Sequence, residues 1–243
     1  GLDRSHLTLV RLGTPGGAAP AVTRIPCGTA TCLVGTISPD GGRLAFVRSG
    51  NGEMDSLDLE VSAMDGSGAE RSAGGVSSSP PPVWSPDGRA VLSWSFSSDT
   101  ARLLAVDVAS GRLRVLWRDR MPYLSHLNWA PDGRRIAFHS PRGLIILTDT
   151  VEAVVSPDTS YGFPAFSPDG KRLVYRASSS LGGDGSIGVL DLARGTGSTL
   201  VRDPELLPMG WKDDSSIFVI RSDSAFGMAR TLELLPSRGG RGK

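Results

Sequence analysis

The phrase Ser-Pro-Asp-Gly, followed by basic residues and an apolar run, returns along this chain, and no other feature constrains its fold as tightly. The copies are SPDGGRLAFV at 38–47, SPDGRAVLSW at 85–94, APDGRRIAFH at 130–139 and SPDGKRLVYR at 167–176, with a degenerate KDDSSIFVIR at 212–221. With Pro39, Pro86, Pro131 and Pro168 as markers, the spacings are 47, 45 and 37 residues, and Asp213 follows after another 45. A period in the forties with strand-like patterning predicts an all-β fold, a β-propeller of four-stranded antiparallel blades. Five hairpins are present, which leaves five or six blades.

Within the phrase, proline presets the second position of a type I turn, aspartate suits the third, and glycine takes the conformation that reverses the chain. A tight hairpin is predicted, with Ile37, Trp84, Trp129, Phe166 and Trp211 on its near side. On its far side stand Leu44, Val91, Ile136, Leu173 and Phe218, then Phe46, Phe138, Tyr175 and Ile220 two residues on. That alternation predicts a strand with one buried face.

A second column runs through LEVSAMD, ARLLAVD, LIILTD, SIGVLD and TLE, placing Asp65, Asp107, Asp149, Asp191 and Glu233 at intervals of 42. These segments read as third strands whose acidic residues cap the turn that follows. Fourth strands follow as RLRVLW, EAVVS and GSTLVR. At the N-terminus, HLTLVRL and AVTRIP look like a third and a fourth strand without their hairpin, while the fifth repeat lacks a convincing fourth strand. The expected organisation is one domain over 1–243: closing strands at 1–26, repeats at 27–235 and a flexible basic tail at 236–243. AVTRIP adding to the last blade would close the ring and remove exposed sheet edges; HLTLVRL is then surplus, or the remnant of a sixth blade.

Composition narrows the partners. Hydrophobic residues make up 39% and charged residues 21% of the 243, with a net charge of +1. That balance gives no electrostatic footprint for nucleic acid, and the basic cluster Arg238, Arg241 and Lys243 reads as a frayed terminus. No apolar run reaches the length of a membrane span and the first residues lack the order of a signal peptide, so a monomer without membrane insertion is expected. Cys27 and Cys32 are the only cysteines and lack the partners of a zinc site. A disulfide between them, which would suit an exported protein, is the expected state; two free thiols would suit a cytosolic one.

The phrase SPDG-basic-basic-apolar, with an aromatic before it and an apolar-aspartate strand after it, resembles the WD40-like repeat of the TolB-like propeller family over residues 28–235. The resemblance implies a binding domain in the periplasm or outside the cell that captures a protein or peptide partner. TolB-type propellers usually have six blades, and no α/β segment is recognisable ahead of the repeats in this sequence. Similar repeats occur in extracytoplasmic sensors, in the propellers of prolyl-oligopeptidase-type enzymes and in some pectate-degrading lyases.

Catalytic motifs are sparse. No Gly-x-Ser-x-Gly occurs, and the nearest look-alike, GGDGSIG at 182–188, has Asp184 where the first glycine belongs. Gly182, Gly183 and Gly185 precede a strand, whereas a phosphate-cradling loop would open a helix. If the third hairpin closes at Ala130 and Arg135, antiparallel partners have numbers summing to 265, which puts His126 opposite His139. The same second-strand position holds Trp94, Arg176 and Arg221, giving a rim of aromatic and basic character. The expectation is a non-catalytic module without cofactor that binds its partner through Trp94, His126, His139, Arg176 and Arg221. The alternatives are a metal-assisted polysaccharide lyase or hydrolase, with His126 and His139 joined by Asp99 or Asp184, and the propeller part of a larger peptidase or sensor.

Overall fold

A computed structural model of the chain describes residues 6–11, 21–27, 30–49, 57–65, 67–68, 70–78, 80–97, 99–120, 126–140, 142–148, 152–156, 162–177, 185–222 and 230–238. Contacts divide it into two compact units, Gly1–Met121 and Pro122–Lys243. Among the described residues every regular element is a strand.

In the first unit β1 (His6–Arg11) and β2 (Ala21–Pro26) pair antiparallel as a two-stranded sheet. The first four-stranded sheet follows: β3 (Cys32–Ile37), β4 (Arg43–Ser49), β5 (Leu57–Ala63) and β6 (Glu70–Gly74). The second comprises β7 (Val83–Trp84), β8 (Ala90–Phe96), β9 (Thr100–Asp107) and β10 (Leu113–Arg120). In the second unit the third sheet contains β11 (Asn128–Trp129), β12 (Ile136–Ser140), β13 (Gly143–Leu147) and β14 (Glu152–Ser156). The fourth contains β15 (Ala165–Phe166), β16 (Arg172–Ala177), β17 (Ser186–Asp191) and β18 (Thr196–Arg202). The last sheet has three strands, β19 (Leu206–Asp213), β20 (Ser216–Ser222) and β21 (Arg230–Pro236). Each is a meander in chain order. Among the described residues the pairing predicted for ring closure is not observed; AVTRIP pairs with β1 over its full six-residue length. A local hairpin costs less loop entropy than pairing with a strand some two hundred residues away.

The phrase folds as its residues require. Ser38, Ser85 and Ser167 donate their hydroxyls to Asp40, Asp87 and Asp169 at 2.5, 2.6 and 2.6 Å. Those bonds, then backbone amides, hold the three carboxyls below the usual range. The third copy has Ala130 in place of serine. There burial presses Asp132 upward, but the Arg134 amide and the Arg135 side chain outweigh it and bring the carboxyl down. Gly88 and Gly170 have φ of 68° and 67°, and a Cβ on either would stand 3.3 or 3.0 Å from an incoming arginine.

Those arginines come from the preceding phrase. Arg43 donates to the Gly88 carbonyl at 2.7 Å and lies over Trp84, 5.1 Å from the ring centroid. Arg135 does the same with Gly170 and Phe166, at 2.8 and 5.3 Å. Arg172 donates to the Asp214 carbonyl and lies 4.8 Å from the Trp211 ring. The indoles in turn donate backwards, Trp84 to the Thr36 carbonyl and Trp211 to that of Ala165, both at 2.9 Å. The basic residue of the phrase is thus a clamp joining one sheet to the next. Ala90 takes its place in the second copy. Ile37, at the corresponding position of the first copy, is 52% exposed.

The cores lie between sheets. One contains Val47, Leu59, Trp84, Val91, Leu104 and Val106; another contains Val174, Ile187, Leu206, Ile217, Val219 and Leu235. The fifth hairpin departs from expectation. Trp211 pairs with Ile217 where Phe166 pairs with Leu173, so the turn is one residue shorter than its counterpart. A one-residue slip turns a strand over, and Ile217 and Val219 are buried where Phe218 and Ile220 were expected. The acidic column breaks in the same sheet. Asp107 and Asp191 cap turns through the Ser110 and Arg194 amides, and Asp65 through that of Ser67. Glu233 instead lies inside β21, opposite Val219; Asp149 lies outside the described residues.

Candidate functional site

The sheet ends remote from the phrase hold the residues singled out for binding, and each has a different setting. Trp94 is 3% exposed. Its ring meets Trp117 edge-on at 5.9 Å and stacks with Phe96 at 6.1 Å, so it is an interior packing residue and not a surface platform. A bulge at Leu116 produces the cluster, shifting β10 so that Trp94, Leu103 and Trp117 fall in one cross-strand row.

The register assumed for the third hairpin is observed, with Asn128 opposite Ala137 and Trp129 opposite Ile136. The ladder stops there, two residues short of His126. His139 is buried, 6% exposed, and pairs with Leu144 on its other side. His126 stacks on Phe163, with ring centroids 4.1 Å apart, and desolvation lowers its pKa. Phe163 has a φ of 65°, a strained backbone for a bulky residue. Beside this stack the Asn128 side chain accepts from the Phe166 amide at 2.8 Å, so the segments leading into the third and fourth sheets run together. Among the described residues no three His, Cys, Asp or Glu side chains converge to hold a metal ion. Asp184, one suggested third ligand, lies outside them, and Asp99 accepts from Thr100 at 3.0 Å.

Arg176 and Arg221 are not equivalent, because the slip in the fifth hairpin moves Arg221 one place along. Arg176 donates to the Pro204 carbonyl at 2.8 Å, and its Nε is buried without a partner. Arg221 donates to Glu233 and Asp203, each at 2.7 Å. The Glu233 bond first, then Asp203, raise the arginine pKa further. Burial alone would raise the Asp203 carboxyl, but the Arg221 bond and the Glu205 amide outweigh it and lower it. The true counterpart of Arg221 is Arg48, which reaches Glu60 at 3.3 Å and the Cys27 carbonyl at 2.7 Å. In both sheets the glutamate stands two residues beyond the arginine's direct partner. Cys27 itself is disulfide-bonded to Cys32, with Cα atoms 5.8 Å apart.

Successive antiparallel four-stranded meanders led by the repeated phrase define a β-propeller fold, and solved structures agree. TolB from Acinetobacter baumannii matches 97% of this chain and 61% of its own, with a TM-score of 0.61 and 17% identity. A prolyl endopeptidase matches 88% of this chain and 35% of its own, with a TM-score of 0.62 and 16% identity. No protein-family model matches the sequence. A Bacillus subtilis (strain 168) protein named "Uncharacterized peptidase YuxL" is 29% identical over 148 residues, which are 58% of this chain and 21% of the relative. The chain therefore spans about a fifth of that relative's length. The expectation of a protein without enzymatic activity is corrected by this likeness to peptidases. The missing nucleophile elbow concerns these 243 residues alone, and the matched stretch is 21% of the relative named as a peptidase.

Proposed function

We propose that this chain is the propeller region of a longer peptidase-type protein and that it receives the peptide substrate. The supporting observation is the match to the B. subtilis protein named as a peptidase, in which 148 aligned residues make up 21% of the relative. On this reading the nucleophile and its base belong to the part of the longer protein that these 243 residues do not span. The unrepeated sheet ends, with the His126–Phe163 stack, Arg176 and Arg221, face the peptide. The Cys27–Cys32 disulfide favours an oxidising compartment outside the cytoplasm.

The test uses the full reading frame from which the chain is drawn. The encoded protein is expected to cleave short peptidyl p-nitroanilides and to label covalently with a fluorophosphonate. Arg221→Gln is expected to raise KM with little change in kcat, as loss of uniform substrate binding does. Neither cleavage nor labelling by the full protein would overturn the peptidase assignment; unchanged KM in both Arg176→Gln and Arg221→Gln would overturn the choice of face.

A further inference from the structure

The second sheet carries two arginines that the fold forces together. The bulge between Val115 and Trp117 shifts everything after it, so Arg118 stands directly opposite Arg102 on β9 and Arg120 opposite Thr100. Ser95 stands on the other side of Arg102, on β8. Like charges facing each other across an antiparallel pair are destabilising, so this pair works against stability. Among the described residues no carboxylate pairs with Arg102, Arg118 or Arg120. The nearby Asp119 falls on the other face, opposite Ala101, and accepts from the Arg120 amide. Arg102 Nε is buried with no hydrogen-bond partner.

Arginine on an outer strand has an ordinary use, since charge discourages edge-to-edge aggregation. That accounts for Arg118 and Arg120, because β10 is the outer strand of its sheet. It does not account for Arg102, which belongs to the second strand in and leaves a donor buried and unmet. A donor in that condition costs free energy until an acceptor arrives.

We propose that Arg102, Arg118 and Arg120 form a binding site for the carboxylates of an extended acidic peptide segment lying along β10. Same-face residues of an extended chain repeat every ~6.6 Å, which is the interval that separates Arg118 from Arg120, so acidic residues two apart meet both. Guanidinium forks suit carboxylates, and the Ser95 hydroxyl adds a donor on the same face. On the same face of β10, across the bulge, Leu113 and Val115 are 43% and 46% exposed. The segment that fits is therefore acidic at one end and apolar at the other. This site is separate from the peptidase reading and stands or falls without it.

The probe is the fluorescein-labelled peptide Glu-Thr-Glu-Thr-Leu-Thr-Leu, whose four recognition side chains share one face, titrated with the 243-residue chain and followed by fluorescence anisotropy. Saturable binding that weakens with added salt is expected, and Arg102→Gln or Arg118→Gln weakens it about tenfold, the loss of one charge-assisted contact. Arg134→Gln, at the phrase end, leaves it unchanged. Thermal unfolding without peptide supplies the second readout: Arg118→Gln melts at or above the wild-type temperature, because a like-charge contact has gone. No saturable binding by the wild type, or wild-type affinity in both variants, overturns the site. Equal affinity for inorganic phosphate, or tighter Arg118-dependent binding of a single-stranded oligonucleotide, overturns the acidic peptide as its occupant. A lower melting temperature in Arg118→Gln shows instead that the arginine serves the fold.

Discussion

The two ends of the sheets follow opposite rules. At the phrase end the same parts recur: a serine-bonded aspartate, a glycine of positive φ, and an arginine over the next sheet's aromatic ring. At the far end the sheets differ, apart from the matched arginine–glutamate pairs of the first and last. One holds the buried Trp94–Trp117 contact beside Arg102 and Arg118, another the His126–Phe163 stack, others the Arg48–Glu60 and Arg221–Glu233 pairs. Repeated chemistry builds the scaffold, and the chemistry that varies is available for recognition.

One strand allows a direct test, since β16 begins with Arg172 at the phrase end and carries Arg176 near the other. Arg172→Ala removes a ring contact and hydrogen bonds to the Asp214 carbonyl and to Ser237. The expected loss is about 3 kcal/mol, combining a cation–π contact with charge-assisted hydrogen bonds. Arg176→Ala, which gives up one exposed bond to Pro204, is expected to cost under ~1 kcal/mol. Guanidinium unfolding midpoints measure both, and equal losses would end the division between scaffold end and variable end.

The far end has one strong structural element, the Cys27–Cys32 link. Cys27 is fully buried beside Ile25 and Phe46, and its carbonyl anchors Arg48. Replacing both cysteines with serine is expected to cost about 2 kcal/mol, the loop-entropy value for so short a bridge. Differential scanning calorimetry of the double variant measures it, and an unchanged midpoint would make the link dispensable. At the other extreme, Arg221→Gln frees the partly exposed carboxylates of Asp203 and Glu233. The expected cost is about 1 kcal/mol, with Asp203 titrating at higher pH once its arginine has gone.

The same contrast explains what could be read from the chain. Phrase turns, strand order and the 265 register of the third hairpin were legible, because proline, aspartate and glycine act on their immediate neighbours. The role of the basic residue was not, since Arg43 acts across 45 residues on the Gly88 carbonyl. Two failures had a common cause, a change of one residue. The short fifth turn made Ile217 and Val219 the buried pair, and the Leu116 bulge set Arg118 opposite Arg102. Neither change has a composition signal, and each reverses which side chains share a face. A near-zero net charge therefore concealed a local arginine cluster.

The smallest expected effect concerns pH at the far end, where the phrase aspartates have no influence. Desolvation lowers the His126 pKa in the folded chain, while the unfolded chain titrates near the ordinary histidine value of ~6.5. Above that value the imidazole is neutral in both states and costs nothing. As pH falls through it the unfolded chain takes the proton first, so stability declines, and the decline from this group ends once pH passes below the folded pKa. Melting temperatures measured from pH 7.5 down to pH 5.5 are thus expected to fall less steeply in His126→Phe than in the wild type, with the phenyl ring retaining the stack on Phe163. Phrase aspartates cannot mimic this, because their lowered pKa values act only where carboxylates protonate, in more acidic solution. Identical slopes in the two proteins would show that the His126 ring is solvated as freely in the folded chain as in the unfolded one, and that the Phe163 stack does not desolvate it.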